Sequence, residues 1–268
     1  MVNFSPMNIF VIPSWYPSST DPLSGVFIKE QVAGLARQLP DVNFGVSLWG
    51  SHEKGLLLNA LEPFSNMRKI VQSSSFKAHQ NKESQNLTTY FDPAFTWTRR
   101  FRGGNIQKII AANERNFELF LAQYGSVDLI HAHVAHPAGY IAKALSEKYN
   151  IPFIITENMS PFPLNTFLNG NDLSKWISVA YSKSCLNVAP SQLMAEEMSN
   201  FDIERVKVIP NFTNGSSCQP LNEAHTNEVF TFLSVGRLVD YKGFEELLDA
   251  FALLKKGGTE VQLRIVGD

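Results

Sequence analysis

The sequence predicts an α/β protein: a doubly wound parallel sheet (Rossmann-like), a linker, and an incomplete second unit of the same kind. Three observations carry this. Short apolar runs of strand length alternate with longer segments whose apolar residues recur at helical spacing, the pattern of βαβ units. VFTFLSV at 229–235 is apolar enough for a buried parallel strand, and DLIHAHV at 128–134 is the clearest strand of the first half. The stretch 211–228 is rich in Gly, Ser, Pro, Asn and Thr and poor in apolar residues, as a linker is.

Taken in order, Asn8–Pro13 is the first strand, leading into Ser14-Trp15-Tyr16-Pro17. A Ser/Pro/Asp/Gly-rich loop, Ser18–Gly25, precedes a helix from about Val26 to Leu39. Gly25 leaves the first helical amides open to an anion, although an ordinary strand–helix turn accounts for the same spacing. Asn43–Trp49 is the second strand. Residues 50–90 are poorly patterned and read as a surface excursion, with a third strand at Asn86–Phe91. Tyr90, Phe91, Phe95, Trp97 and Phe101 then interleave with Arg99, Arg100, Arg102 and Lys108. They form either a membrane-surface or acceptor-facing patch, or a helix lead-in with core aromatics and solvated arginines.

A helix over Asn105–Tyr124 places Ile106, Ile109, Ile110, Phe117 and Leu121 inward. In the strand Asp128–Val134, His131 and His133 alternate to one face and His136 lies just past the end. Three histidines so spaced are compatible with a metal, but no carboxylate or cysteine cluster accompanies them, and no metal is assigned. A helix from Pro137 and a strand over Pro152–Glu157 follow. Ser160–Asp172 reads as a lid-like loop, then come a helix at Leu173–Ser184, a strand at Leu186–Ala189, a short helix capped by Ser191, and a strand at Val206–Ile209.

Leu233–Asp268 completes a strand–loop–helix–strand unit. Its helix is expected to bury Phe244, Leu247, Leu248, Phe251 and Leu254, and Lys255-Lys256-Gly257-Gly258 closes it. The loop places Arg237 and Lys242 at the carboxyl edge of a parallel sheet, where open α/β folds bind ligands. Two cations beside a helix start suit a diphosphate, and they equally suit a solvated loop.

Three stretches resemble, in the correct order, glycosyltransferases of the GT-B fold, family 4. They are PSWYPSSTDPLSGVFIKEQVAGLA, DLIHAHVAHPAGYIAKAL, and the loop running from Gly236-Arg237 to Lys242-Gly243. The resemblance implies transfer of a sugar, with retention, from a nucleotide-sugar donor to a hydroxyl of a glycan or lipid-linked acceptor. It implies an acceptor domain at 1–210, a linker at 211–228, and the first βαβ unit of a donor domain at 229–268. Arg237 and Lys242 would bind the donor diphosphate, Gly25 would line the loop that closes over it, and His133 would be the active-site histidine, with His131 structural. Where relatives carry Thr-x-His, this chain has Thr156-Glu157-Asn158, which makes Glu157 and Asn158 acceptor-side candidates. Relatives need no cofactor or metal in the chemistry, and this sequence lacks the Asp-x-Asp motif of the other large glycosyltransferase fold. Glu196 and Glu204 share the spacing of the family's paired glutamates, but they precede the linker and are not equated with them.

In relatives the donor domain continues beyond the point corresponding to Asp268, so the 268 residues by themselves are expected to turn over little. The alternatives are an acceptor-binding module without turnover, and a nucleotide-sugar epimerase or glycan phosphorylase of the same fold. A nicotinamide dehydrogenase is excluded by the missing Gly-x-Gly-x-x-Gly after the first strand. A net charge of −2 gives no general attraction to nucleic acid or to an anionic membrane. There is no signal-like leader and no membrane-length apolar run, and Cys185 and Cys218 form no metal-spaced motif, so the expected location is cytoplasmic, with peripheral contact at the inner membrane face as a variant.

Overall fold

A computed structural model describes residues 6–59, 61–72, 76–97, 105–212 and 229–267. The chain divides into two compact units, Met1–Asn214 and Gly215–Asp268.

In the first unit, β1 (Met7–Pro13), α1 (Val26–Gln38) and β2 (Val42–Trp49) open the fold. β3 (Leu57–Leu58), α2 (Pro63–Gln72), β4 (His79–Ser84), β5 (Leu87–Asp92) and β6 (Thr96–Trp97) follow. α3 (Ile106–Tyr124), β7 (Leu129–His133), α4 (Tyr140–Tyr149) and β8 (Phe153–Thr156) form the centre. The hairpin β9 (Leu168–Asn169) and β10 (Asp172–Leu173) sits in the loop before α5 (Lys175–Lys183). β11 (Leu186–Ala189), α6 (Gln192–Ser199) and β12 (Val206–Val208) complete the unit.

Eight strands form one sheet in the order β12-β11-β8-β7-β1-β2-β5-β4, parallel except for β4, which pairs antiparallel with β5. The order reverses at β1, with β2 on one side and β7 on the other. That is the switch point at which ligands bind in open α/β sheets. Strand alternation feeds a core on each face. Phe10 and Ile12 join Ile130, Ala132, Phe117 and Phe120 in the larger core, while Val11 joins Ile28, Val32, Phe44 and Val46 in the smaller.

The stretch 50–90 is more ordered than its composition predicts. β4 reads HQNKES and is almost wholly exposed, so no alternation marks it; an edge strand needs a buried face on neither side. α2 escaped prediction because its apolar residues face outward. Farther along, the helix expected from Pro137 begins at Tyr140, after a wide π-type turn over Ala135–Gly139. Of the aromatic–basic stretch, Tyr90 and Phe91 are core and Phe95 and Trp97 are half-buried, whereas Arg99, Arg100, Phe101 and Arg102 lie outside the described residues.

The second unit contains β13 (Phe230–Val235), α7 (Phe244–Lys256) and β14 (Val261–Val266), the strands parallel and in continuous register. The expected buried face of α7 is only partly covered: Phe244, Leu247 and Phe251 are half-buried, but Leu248 is 51% and Leu254 40% exposed. Two strands about 4.8 Å apart are no wider than one helix of about 10 Å, so the flanks of the helix project past the sheet.

Candidate functional site

The carboxyl ends of β1, β7 and β8 meet at the switch point. Pro13 lies opposite His133, and His133 opposite Thr156. Because Ile130 and Ala132 point into the larger core, His131 and His133 point to the other face. Their rings lie 4.3 Å apart between centroids, inclined by 33°. His131 shares a hydrogen bond from Nε2 with Thr156 Oγ1 at 2.8 Å. His133 is 1% exposed, and neither Nδ1 nor Nε2 has a partner. Burial lowers the pKa of both: His131 to about 4, and His133 well below the usual imidazole value, with the charge of His131 adding to it. A neutral imidazole offers one N–H donor and one acceptor. Such an orphaned buried pair is expensive unless something else fills it.

The backbone turns sharply at this point. Val134, a β-branched residue, has φ 72, a conformation that costs on the order of 1–3 kcal/mol and persists only when its surroundings hold it. The surroundings do so: Val134 N donates to Thr156 O at 2.7 Å, and Gly139 N donates to Val134 O at 3.1 Å. Ser14, the first residue after β1, ties the same turn to its own loop. Ser14 N donates to His133 O at 3.1 Å, and Ala138 N donates to Ser14 Oγ at 3.2 Å.

Glu157 is the fixing point beneath these loops. It is fully buried, and its carboxylate accepts from Ala135 N at 3.0 Å, Asn158 N at 2.9 Å, Met159 N at 2.7 Å and the Tyr181 hydroxyl. Desolvation raises its pKa and the four donors pull the other way. The side chain therefore faces into the protein and joins the β7–α4 turn, the loop after β8, and α5. Asn158 faces the edge: its Oδ1 accepts from Asn211 Nδ2 at 2.7 Å, and Gln31 Nε2 of α1 donates to Asn211 Oδ1 at 2.6 Å.

Gly25 begins α1 in the left-handed conformation, φ 65. A Cβ there would lie 2.3 Å from the Trp15 carbonyl oxygen, so backbone conformation and close packing both require glycine. Another tie is His52, 8% exposed, whose Nδ1 accepts from Trp49 N at 3.1 Å while Nε2 donates to Pro13 O at 3.3 Å. It joins the ends of β1 and β2 as a neutral ring, its pKa lowered to about 4 by burial. Its contribution to stability is complete above pH about 6.5, where the unfolded chain is neutral too, and is lost as pH falls toward 4. At about pH 5 the loss is about 2 kcal/mol. Urea unfolding should show this as a steeper decline from pH 7 to 5 in the parent than in His52→Asn; identical slopes would remove His52 from the account. Glu157, with its raised pKa, acts in the opposite sense in both proteins, which is why the difference is the quantity to read.

In the second unit, Gly236 N donates to Val266 O at 3.0 Å, carrying the strand pairing to the start of the loop. Arg237 Nη2 donates to the Tyr241 hydroxyl at 3.0 Å, and Lys242 Nζ stands 5.4 Å from the centre of the same ring. Tyr241 gathers both cations at the carboxyl end of β13, and Gly243, φ 71, starts α7 immediately afterwards. Its first turn also carries Glu245 and Glu246. Ser14, Val134, Tyr181 and Tyr241 were not singled out from the sequence. Ser14 and Tyr241 sit in loops that were, whereas Val134 closes an expected strand and Tyr181 lies within an expected helix. No cluster of metal-ligating side chains occurs among the described residues.

Two α/β units with parallel strands, the larger carrying a histidine at its switch point and the smaller a basic loop at a strand end, are elements of the GT-B architecture. Solved structures similar to this chain have that fold. One is the catalytic domain of starch synthase IV from Arabidopsis thaliana bound to ADP and acarbose, with TM-score 0.55 and 12% identity, covering 98% of this chain and 69% of that one. A second is Arabidopsis thaliana UGT89C1 complexed with UDP-L-rhamnose, with TM-score 0.53 and 12% identity over 99% of this chain and 70% of that one. OtsA in its apo form gives a TM-score of 0.58 at 13% identity, over 96% of this chain and 64% of that one. Comparison with curated protein sequences gives no match. The family model Glycosyltransferase Family 4 matches residues 31–215, and the model Glycosyl transferases group 1 matches residues 221–268. The chain belongs to glycosyltransferase family 4.

Proposed function

We propose that this glycosyltransferase moves a sugar from a nucleotide-sugar to an acceptor hydroxyl with retention, in the assembly of a glycan or glycolipid. The observation that carries this reading is His133: a neutral imidazole at the switch point, with both nitrogens unsatisfied, beside a strained turn that other groups hold in place. The solved structures bound to ADP and to UDP-L-rhamnose support a nucleoside-diphosphate donor.

In this reading the first unit binds the sugar and the acceptor, and the second binds the diphosphate. Arg237 and Lys242 stabilise the negative charge that builds on the leaving oxygen as the glycosidic bond breaks. Gly25 lets backbone amides of the β1–α1 loop approach the donor without a side chain between. His133 hydrogen-bonds a hydroxyl of the transferred sugar, and His131, held by Thr156, keeps that ring in place. Since His133 is 1% exposed, a sugar reaches it only when one of the loops after β1, β7 or β8 shifts. Asn158 contributes on the acceptor side, and Glu157 supports its loop from beneath. No residue is assigned to a metal or cofactor.

In the full-length protein, His133→Ala should lower kcat by about 10²-fold or more, the scale of losing one well-placed donor at the reacting centre. Its melting temperature should fall less than that of His131→Ala, because removing the ring leaves a cavity but breaks no hydrogen bond. His131→Ala also strips Thr156 of its partner. A His133→Ala enzyme with parental turnover would overturn the assignment. Anomeric configuration of the product, read by proton NMR, tests retention separately.

A further inference from the structure

Three side-chain amides at the edge of the first unit form a chain of one polarity. Gln31 Nε2 donates to Asn211 Oδ1 at 2.6 Å, and Asn211 Nδ2 donates to Asn158 Oδ1 at 2.7 Å. The last donor, Asn158 Nδ2, is buried and has no hydrogen-bond partner among the described residues. An amide side chain donates from its nitrogen and accepts at its oxygen. Because Asn211 takes the oxygen of Asn158, the end left over is the donor. Each amide in such a chain polarises the next, which strengthens the free end. A buried donor without a partner carries its full desolvation cost, and an oxygen that arrives there removes it.

Strand alternation places that donor. Phe153 and Ile155 point into the larger core, so Ile154 and Thr156 point to the opposite face, and Asn158 continues their alternation. Pairing persists this far, since Glu157 N donates to Val188 O at 2.9 Å. The face is that of His131 and His133, because Thr156 lies opposite His133 and bonds His131. It is also the face of α1: Val11, opposite His131, packs with Ile28 and Val32, and Gln31 lies between those two on the helix. His133 and Asn158 thus stand on one face at the ends of the neighbouring strands β7 and β8, each with buried nitrogen lacking a partner. The middle amide is fixed independently. Ile209 N donates to Ala189 O at 2.9 Å, which holds the chain up to Pro210. On the other side of Asn211, the Phe212 ring packs so closely on Gly34 of α1 that a Cβ at Gly34 would lie 2.6 Å from it.

We infer that Asn158 Nδ2 donates a hydrogen bond to a hydroxyl oxygen of the sugar substrate, and that Asn211 and Gln31 are positioning residues that set the direction of that amide. Neither of the two touches substrate. They act by polarity: Gln31 turns its donor to Asn211, Asn211 turns its donor to Asn158, and Asn158 turns its donor outward to the ligand. The arrangement selects an oxygen, because a hydroxyl accepts from the amide whereas an ammonium would set donor against donor. The inference rests on the proposed function for placing a sugar beside His133; the polarity of the amide chain does not.

The test is nuclear magnetic resonance of the full-length protein, labelled with nitrogen-15 and titrated with the methyl α-glycosides of glucose, galactose, mannose and N-acetylglucosamine. The side-chain amide signals of Asn158 are identified by their loss in Asn158→Asp. At least one glycoside should move them in the parent. Asn158→Asp still accepts from Asn211 but has no donor to present, and should bind that glycoside about 3- to 10-fold more weakly, the scale of one hydrogen bond. Gln31→Glu puts an acceptor where the parent has a donor, so Asn211 and then Asn158 turn over and Asn158 presents its oxygen. It should weaken binding by a similar factor from two amides away, and shift the Asn158 signals before any sugar is added. Asn211→Asp keeps an acceptor for both neighbours and should do the same, with a melting temperature near the parent's because Asn211 is exposed. Parental affinity and unshifted Asn158 signals in Gln31→Glu and Asn211→Asp would overturn the inference. So would Asn158 signals that none of the four glycosides moves. In that event, movement of the His133 ring signals in the same titration would leave the proposed function standing, and stillness of both would count against both.

Discussion

Glu157→Ala should destabilise the first unit by about 3–5 kcal/mol, the scale of removing one partner from a buried charged network. Three backbone amides and the Tyr181 hydroxyl lose their acceptor together at a site that is fully buried. The part of the penalty due to burying a carboxylate is recovered, which keeps the loss below the sum of four separate bonds. Glu157→Gln separates the two effects. Its carbonyl still accepts from Asn158 and Met159, but its amide turns a donor toward the Ala135 donor, so a loss of about 1–3 kcal/mol remains. Urea unfolding of both variants measures this, and an alanine variant within about 0.5 kcal/mol of the parent would show that the carboxylate holds nothing together.

The second large effect is kinetic. In the full-length protein, Arg237→Ala should lower kcat/KM by about 10- to 1,000-fold, equivalent to about 2–4 kcal/mol of transition-state stabilisation. Arg237→Lys should not restore it, because an ammonium lacks the planar two-pronged donor geometry. Tyr241 sharpens the expectation, since it holds Arg237 by its hydroxyl and Lys242 by its ring. Exposed loop cations contribute less than about 1 kcal/mol to folding, so stability should not change. Parental kinetics in Arg237→Ala would make the pair ordinary surface charges.

Much of the fold was legible because buried strands and helices leave periodic apolar patterns. DLIHAHV is a strand in any reading, and its alternation already put His131 and His133 on one face. Two elements were not legible, for opposite reasons. β4 is polar throughout because an exposed edge strand buries nothing. α2 has helical spacing, but its apolar stripe faces water, so the burial rule that makes such spacing readable does not apply. The turns of the candidate site were legible where glycines mark them, as at Gly25 and in the Arg237–Lys242 loop that ends at Gly243. The site was not legible where geometry alone decides. Nothing in Thr156-Glu157-Asn158 distinguishes a carboxylate facing an acceptor from one buried under four donors, because that depends on Tyr181 arriving from a separate helix. Nor does composition reveal a valine at positive φ.

The account turns on a diphosphate held by Arg237 and Lys242, and calorimetric titration with nucleoside diphosphates tests it most directly. The parent should bind at least one of UDP, ADP and GDP. Arg237→Ala and Lys242→Ala should each weaken that binding by about tenfold or more, as loss of a charge-assisted bond to phosphate requires, with melting temperatures unchanged. Binding equal to the parent's in both variants, or a parent that takes up none of the three, would contradict it.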